Sequence, residues 1–528
     1  MELIRGRGLH VPKFPREISR NLKKLAVVLL AAMAISFPLE RLVANVFYDR
    51  DTFFFGRYAA VFVSVELLAL LFCFREIVAV KVEIAAFVVI LSVGSLYAVA
   101  LPAFCGIAWD DEVHYFHTML MSHAFDPGIT EAEDFYLKGY RDMALGHKYY
   151  DRESQQEMYQ KVDRLNGFKK SGSADREYPR YRILCYVPAA FGLWLGKALS
   201  LPYPAEFMLG RWCSLVFYAI MSFLAIRKLK SGKVLASVIA LIPFQVFMAS
   251  SYSYDTWLTV WFLYGFCCYF GVLQQPDKKM GLKDWGCMVF SFFIGAGPKV
   301  LYIPMIFLIL FLPKEKFASP RQRKWMYLAV ACVTVLVSIQ FAHTYLFGAD
   351  GIAQDKRGGE GVNAAGQIAY IFAHPWEYTK ILLKTLAEYL SPQASCQYMS
   401  YLHYFSGLKP TAFSTLYVVL LAVVAITDKD ICDTNIRILS RVVTLLLAFG
   451  VLCLAATSMY VAFTEVGNGK IMGYQYRYIA PLLFPALYVL GSGRVKNHVR
   501  REYYNGIALA ICAFVSIHAV WAYAINLY

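Results

Sequence analysis

Residues 182–200 read RILCYVPAAFGLWLGKALS, a run apolar enough to be taken for a membrane span, and its reading decides the fold. As a span it would send the basic loop RKLKSGK (227–233) to the outside and reverse every loop after it. As a juxtamembrane or re-entrant helix at the outer face, packed on protein and lipid headgroups, it leaves RKLKSGK, DKKMGLKD (277–284), KEKFASPRQRK (314–324) and RVKNHVRRE (494–502) cytoplasmic. These are the Lys- and Arg-rich loops, so the second reading satisfies the positive-inside rule and the first violates it.

The rest of the chain follows the same plan. Of its 528 residues 58% are hydrophobic and 17% charged, and the apolar ones come in long runs rather than at amphipathic spacing. Water-soluble cores have no need of repeated apolar stretches of about 20 residues; a bilayer does. Spans are expected at 26–47, 57–75, 83–104, 206–226, 234–250, 256–274, 285–297, 300–313, 325–346, 411–427, 438–460, 478–492 and 504–526. That is an all-α polytopic transmembrane bundle of about 13 spans. Two long loops, 105–205 and 347–410, fall on the external face and are expected to carry juxtamembrane helices. The short pair 285–297 and 300–313 is interrupted by Gly295, Gly297 and Pro298, and broken helices at membrane depth mark a candidate site wall.

The net charge of +15 does not point to nucleic acid, because the Lys and Arg sit in short clusters between apolar runs. The twelve Cys lie mostly inside apolar runs, without CxxC or Cys/His metal spacing, and read as small buried apolar residues. The N-terminus, MELIRGRGLHVPKFPREISRNLKKL, is basic and lacks a small-residue cleavage site, as a retained cytoplasmic tail would. Residues 1–82 thus read as that tail plus two accessory spans, 83–492 as the transmembrane core, and 493–528 as a basic loop and the last span. The expected location is the plasma membrane, with the N-terminus cytoplasmic and the C-terminus external.

Chemistry-bearing residues gather at the outer ends of spans. WDDEVHYFHTML (109–120) puts Asp110, Asp111 and Glu112 in a row where the third span opens the first external loop. Adjacent carboxylates at a water-to-lipid boundary repel one another and are partly desolvated, which suits a general base; the plainer reading is a solvated helix start. Asp110, Asp111 and His114 are also a candidate set for a divalent cation, although such spacing fits many patterns. ASSYSYDTW (249–257) places Asp255 at the head of a span, ordinarily an N-cap. GAGPKVLY (295–302) sets Lys299 at the outer turn between two short helices, as a snorkelling cation or a phosphate partner. MGYQYRYIAP (472–481) sets Arg477 among Tyr474, Tyr476 and Tyr478. Tyrosine belts are ordinary at interfaces, but an outer-leaflet Arg runs against the charge bias and suits bidentate phosphate binding.

The second external loop holds DKRGGEG (355–361), His374-Pro375 and the amphipathic stretch WEYTKILLKTLAEYL (376–390). The stretch puts Tyr378, Ile381, Leu382, Leu386 and Leu390 on one face, like an interfacial helix or a lid. DKRGGEG lacks the GK[ST] ending of a phosphate loop, and no GxGxxG, G-x-S-x-G or H-E-x-x-H occurs, so neither a nucleotide nor a redox cofactor is expected.

WDDEVHYF, GRWCS (210–214), SSYSYD, GPKVLYIP, AHPWEY and GYQYRYIAPLLFP occur in an order that resembles a family of bacterial polytopic membrane proteins grouped by fold with the GT-C glycosyltransferases. The resemblance covers roughly residues 85–492 and leaves the two N-terminal spans outside. It implies a GT-C-like bundle and a polyprenyl-phosphate-linked sugar as donor, with an acidic residue of the first external loop as base or metal-linked group. Asp110 matches the family's leading Asp and His114 its His, whereas Asp111 stands where a Glu is expected. Lys299 and Arg477 match basic positions near the lipid phosphate, with Asp255, Tyr474, Tyr476 and His374 in support. The implied reaction is an inverting transfer to a cell-envelope glycan, lipid or polymer acceptor on the outer face. The alternatives are a polymerase or ligase working on a lipid-linked oligosaccharide, and a flippase for a lipid-linked glycan. A flippase would want charges at mid-membrane and repeat-related halves, and the sequence has neither.

Overall fold

The computed structural model describes residues 14–48, 53–101, 108–124, 181–347, 358–402, 411–428, 436–491 and 497–523, with a few isolated positions between them. Among these residues the chain is helical apart from one antiparallel pair, Gly128–Thr130 with Lys170–Ser173, in which Ile129 stands opposite Gly172. Seven helices are long and apolar enough to cross a bilayer: Arg20–Tyr48, Phe55–Cys73, Val82–Ala100, Tyr203–Lys228, Asp255–Leu273, Ile438–Phe463 and Arg501–Ala522.

Several of the other expected spans are shorter or broken, for local reasons. The run 234–250 divides into Lys233–Ala240 and Pro243–Ala249, because Pro243 has no N–H to continue the first helix. The run 300–313 is a 3₁₀ helix, Val300–Phe311, with Pro304 inside it. The run 478–492 begins as the 3₁₀ turns Tyr476–Tyr478 and Ala480–Leu482 before the helix Leu483–Leu490. These pieces lie inside the bundle, where side chains meet the backbone groups that the breaks release. Tyr417 donates to the Val238 carbonyl at 2.6 Å, Tyr218 to Ala240 at 2.9 Å, Thr256 to Met248 at 3.0 Å and Tyr302 to Tyr478 at 2.6 Å.

The stretch 182–200 forms a 3₁₀ turn, Tyr181–Tyr186, and the helix Val187–Ala198 of 12 residues. At 1.5 Å per residue the helix reaches only about 18 Å, well short of a bilayer core. It lies against the Tyr203–Lys228 helix at a distance that glycine permits: a Cβ on Gly192 would come within 2.5 Å of the Leu209 carbonyl. The stretch 376–390 is likewise a helix, Pro375–Tyr389, seated through Tyr378 and Leu386; Leu390 is its exposed C-cap and stands off the packed face.

The Asp255–Leu273 helix, about 28 Å long by its 19 residues, separates two ends of the bundle. Beyond its C-terminus, Gln274 accepts the Lys230 and Ser231 N–H groups, Lys316 donates to the Gln275 carbonyl, and the Met280 N–H reaches the Lys316 carbonyl at 2.7 Å. Three of the basic loops thus meet at one end. Asp255 marks the other.

Candidate functional site

Asp110 precedes the helix Asp111–Ser122 in a left-handed conformation, φ 55°, which Asp tolerates better than most side chains. This turn parts two neighbouring carboxylates. Asp110 Oδ2 meets Arg477 Nη2 at 3.3 Å, whereas Asp111 is fully buried, accepts the Tyr252 N–H at 3.1 Å and lies 3.8 Å from Arg211 Nη2. Glu112 is the second residue of the helix, and its side chain lies outside the described residues.

Arg477 is brought in by the 3₁₀ turn Tyr476–Tyr478, and its other terminal nitrogen, Nη1, lies 3.3 Å from Asp255 Oδ2. Asp255 begins its helix, as expected, yet its carboxylate faces cations: Lys299 Nζ donates to Oδ1 at 2.5 Å. Lys299 is fixed by the break after Gly295, at the N-cap of the 3₁₀ helix Val300–Phe311. The result is a chain of charges, Asp110 to Arg477 to Asp255 to Lys299. Its side chains are 29%, 6%, 5% and 7% exposed respectively, so the network opens at Asp110.

Aromatic rings wall it. Arg477 lies over Trp109 and Tyr478 at 5.4 and 5.7 Å, and Lys299 over Tyr254 and Tyr478 at 5.0 and 4.5 Å. His114, one turn along its helix from Asp110, shares a 2.9 Å hydrogen bond with the Tyr186 hydroxyl through Nδ1 and sets its ring edge-on to Tyr254 at 4.5 Å. Three buried nitrogens at this place have no hydrogen-bond partner among the described residues: Arg477 Nε, His114 Nε2 and Gln245 Nε2. Gln245 lines a small cavity beneath Asp255 and Arg477 with room for about one water molecule.

Burial pushes His114 down to about 3, against the opposing pull of Asp255, so its imidazole is neutral at ordinary pH. Burial also lowers the Lys299 ammonium, to about 8, with Asp255 opposing and Arg477 adding to the effect. For Arg477 burial is outweighed: Asp255, Tyr478, Tyr254 and Asp110 hold the guanidinium above its usual range.

Four of the expected site residues, Asp110, Asp255, Lys299 and Arg477, therefore form one network, with His114 in the adjoining wall. Tyr474 and Tyr476 form a second row of rings: Tyr474 packs on Tyr478 at 5.5 Å, and Tyr476 stacks on Tyr398 at 5.3 Å. His374 does not join them; half exposed, it contacts Tyr370 at 4.8 Å and Glu377 at 3.7 Å within the segment 358–402. The proposed metal set does not assemble either, since Asp110, Asp111 and His114 turn to Arg477, Arg211 and Tyr186. Among the described residues no group of three or more His, Cys, Asp or Glu is placed to hold a metal ion.

Residue-by-residue reading missed Tyr186, Tyr254 and Arg211. Tyr186 and Tyr254 carry no signal of their own. Arg211 did, because an arginine inside an apolar span needs a carboxylate partner, and Asp111 is it.

Residues 91–485 match the family described as predicted membrane protein (DUF2142), leaving the two long N-terminal helices outside the match. No curated protein and no solved structure matches the chain. The match covers most of the chain, which therefore belongs to the DUF2142 family of predicted membrane proteins.

Proposed function

We propose that this DUF2142 chain is a GT-C-type glycosyltransferase that moves a sugar from a polyprenyl-phosphate donor to a cell-envelope acceptor on the outer face of the plasma membrane. The observation that carries the reading is Arg477: buried, with an unmet Nε donor, and joined through Asp255 to a second buried cation, Lys299. A guanidinium with an unmet donor beside an ammonium suits a phosphate that gains charge as a bond breaks. Sidedness follows from the Lys- and Arg-rich loops gathered at the opposite end of the bundle, which the positive-inside rule makes cytoplasmic.

In this reading the donor phosphate lies against Arg477 and Lys299 with its isoprenoid tail between helices. Asp110, the most open carboxylate of the network, takes the proton of an acceptor hydroxyl. The hydroxyl oxygen bonds to the anomeric carbon, the bond from that carbon to the phosphate oxygen breaks, and polyprenyl phosphate leaves with the electron pair. One displacement inverts the anomeric centre. Asp255 touches both cations and holds them in place, and the neutral His114 stays out of proton transfer as part of the wall.

Binding of polyprenyl phosphate, the leaving product, tests the reading without knowledge of the sugar. Purified protein in nanodiscs should bind it, lose that binding on Arg477→Ala, and transfer label from a polyprenyl-phosphate sugar to a hydroxyl acceptor. Wild-type protein that binds polyprenyl phosphate no better than the uncharged polyprenol would overturn it.

A further inference from the structure

At the end of the bundle opposite Asp110 lies another polar cavity, of about 210 Å³, walled by the last turns of the Tyr203–Lys228 and Asp255–Leu273 helices and by the loop that follows the second of them. Arg227, Lys228, Lys230, Lys278 and Lys279 line it against a single carboxylate, Asp284, which is already engaged by the Gly281 N–H at 2.9 Å. Its floor is rigid: a Cβ on Gly271 would come within 2.5 Å of the Lys228 carbonyl, so the two helix ends are in backbone contact.

Helix C-termini attract cations by themselves, which accounts for Arg227 and Lys228 in the last turn of their helix. It does not account for Lys230, Lys278 and Lys279, which come from loops and turn toward the same space. Like charges gathered around one open cavity repel one another, and an anion among them relieves that repulsion. The same first turn of the Leu282–Gly295 helix that carries Asp284 also borders an apolar groove of about 590 Å³, lined by Leu282, Trp285, Trp325 and Leu328. Paired tryptophans beside a basic pocket, where spans end, are the surroundings of a lipid headgroup with its chains alongside.

We propose that this cavity binds the phosphate of an anionic phospholipid headgroup, with an acyl chain in the groove between Trp285 and Trp325. The proposal is independent of the reaction at Asp110.

Binding of a fluorescent phosphatidylglycerol to the purified full-length chain in micelles, in competition with phosphatidylcholine and with glycerol phosphate, tests it. Wild type should select phosphatidylglycerol over phosphatidylcholine, and millimolar glycerol phosphate should not displace it. Lys278→Gln with Lys279→Gln should weaken binding about 30-fold, the effect of two charges at a headgroup. Lys314→Gln with Lys324→Gln, two exposed lysines outside the cavity that carry the same charge, should change it less than about threefold. Equal affinity for the two lipids, or equal loss in the two double variants, would overturn the site. Displacement by glycerol phosphate would make the ligand water-soluble and overturn the lipid. The two wild-type competitions decide the matter even if a double variant fails to fold.

Discussion

Removing the proposed base should tighten donor binding. Asp110 Oδ2 occupies Arg477 Nη2 at 3.3 Å, so a phosphate that takes Nε and Nη2 together must displace that carboxylate. Asp110→Asn abolishes the competing charge while keeping the backbone, since Asn accepts the left-handed φ of 55° as readily as Asp. A buried charge-assisted hydrogen bond contributes about 1.5–3 kcal/mol. With Asp110 29% exposed the bond is discounted to about 1 kcal/mol, or roughly a fivefold gain in affinity for polyprenyl phosphate. Transfer should fall by about two to four orders of magnitude in the same variant, the scale of general-base removal. Titration of wild type and Asp110→Asn with labelled polyprenyl phosphate, beside a single-turnover transfer assay, gives both numbers. Unchanged or weaker binding would refute the competition between Asp110 and phosphate, and near-wild-type transfer would refute the base.

Arg477→Lys should keep the fold but weaken donor binding about tenfold, because an ammonium cannot hold two phosphate oxygens at once, with Arg477→Ala worse by about a further 1 kcal/mol; equal affinities by titration would remove Arg477 from the site. Asp111→Asn should instead lower thermal stability by about 3 kcal/mol through loss of its buried pairing with Arg211, and an unaltered melting curve would show that the pair carries no stability. His114 is neutral in the fold down to about pH 3 but titrates near 6.5 when unfolded, so the unfolded chain gains protons first and stability falls as pH drops from about 6.5 toward 3. On the order of 2 kcal/mol should go between pH 7 and 5, and denaturation of His114→Gln at the two pH values should recover it. A cysteine introduced as Lys230→Cys should react with membrane-impermeant maleimide only from the cytoplasmic side; labelling of intact cells would invert the bundle.

Charge and hydropathy carried the helical membrane class, because each follows from composition along the chain. Span count was less legible: the carbonyls freed at the breaks near Pro243 and at Tyr476–Tyr478 are satisfied by Tyr218, Tyr417 and Tyr302 from distant segments, and no local window contains those partners. Arg477 was legible as a charge running against the outer-face bias, whereas Lys299 read equally as a snorkelling cation and Asp255 as an N-cap. What the sequence could not separate was Asp110 from Asp111. Adjacent residues of one kind differ here through the backbone turn at Asp110 and through the partners that meet Asp111, Arg211 and Tyr252, more than 90 positions away. His374 was drawn in by its place in a motif, and it lies exposed beside Tyr370 and Glu377, apart from the charge network.

The short helix Val187–Ala198 links an outward-facing aromatic surface to the wall of the site. Phe191 and Trp194 face outward from it, 52% and 36% exposed, the kind of rings that favour the headgroup level of a bilayer. Gly192 presses it onto a full-length span without compliant side chains between, and Tyr186, the residue before it, holds His114. A lever mounted so stiffly passes vertical force on instead of absorbing it. Under the proposed transferase function, a membrane that thins or swells around the protein would press its mismatch on the aromatic wall of the charge network, and the transfer rate should then vary with lipid thickness.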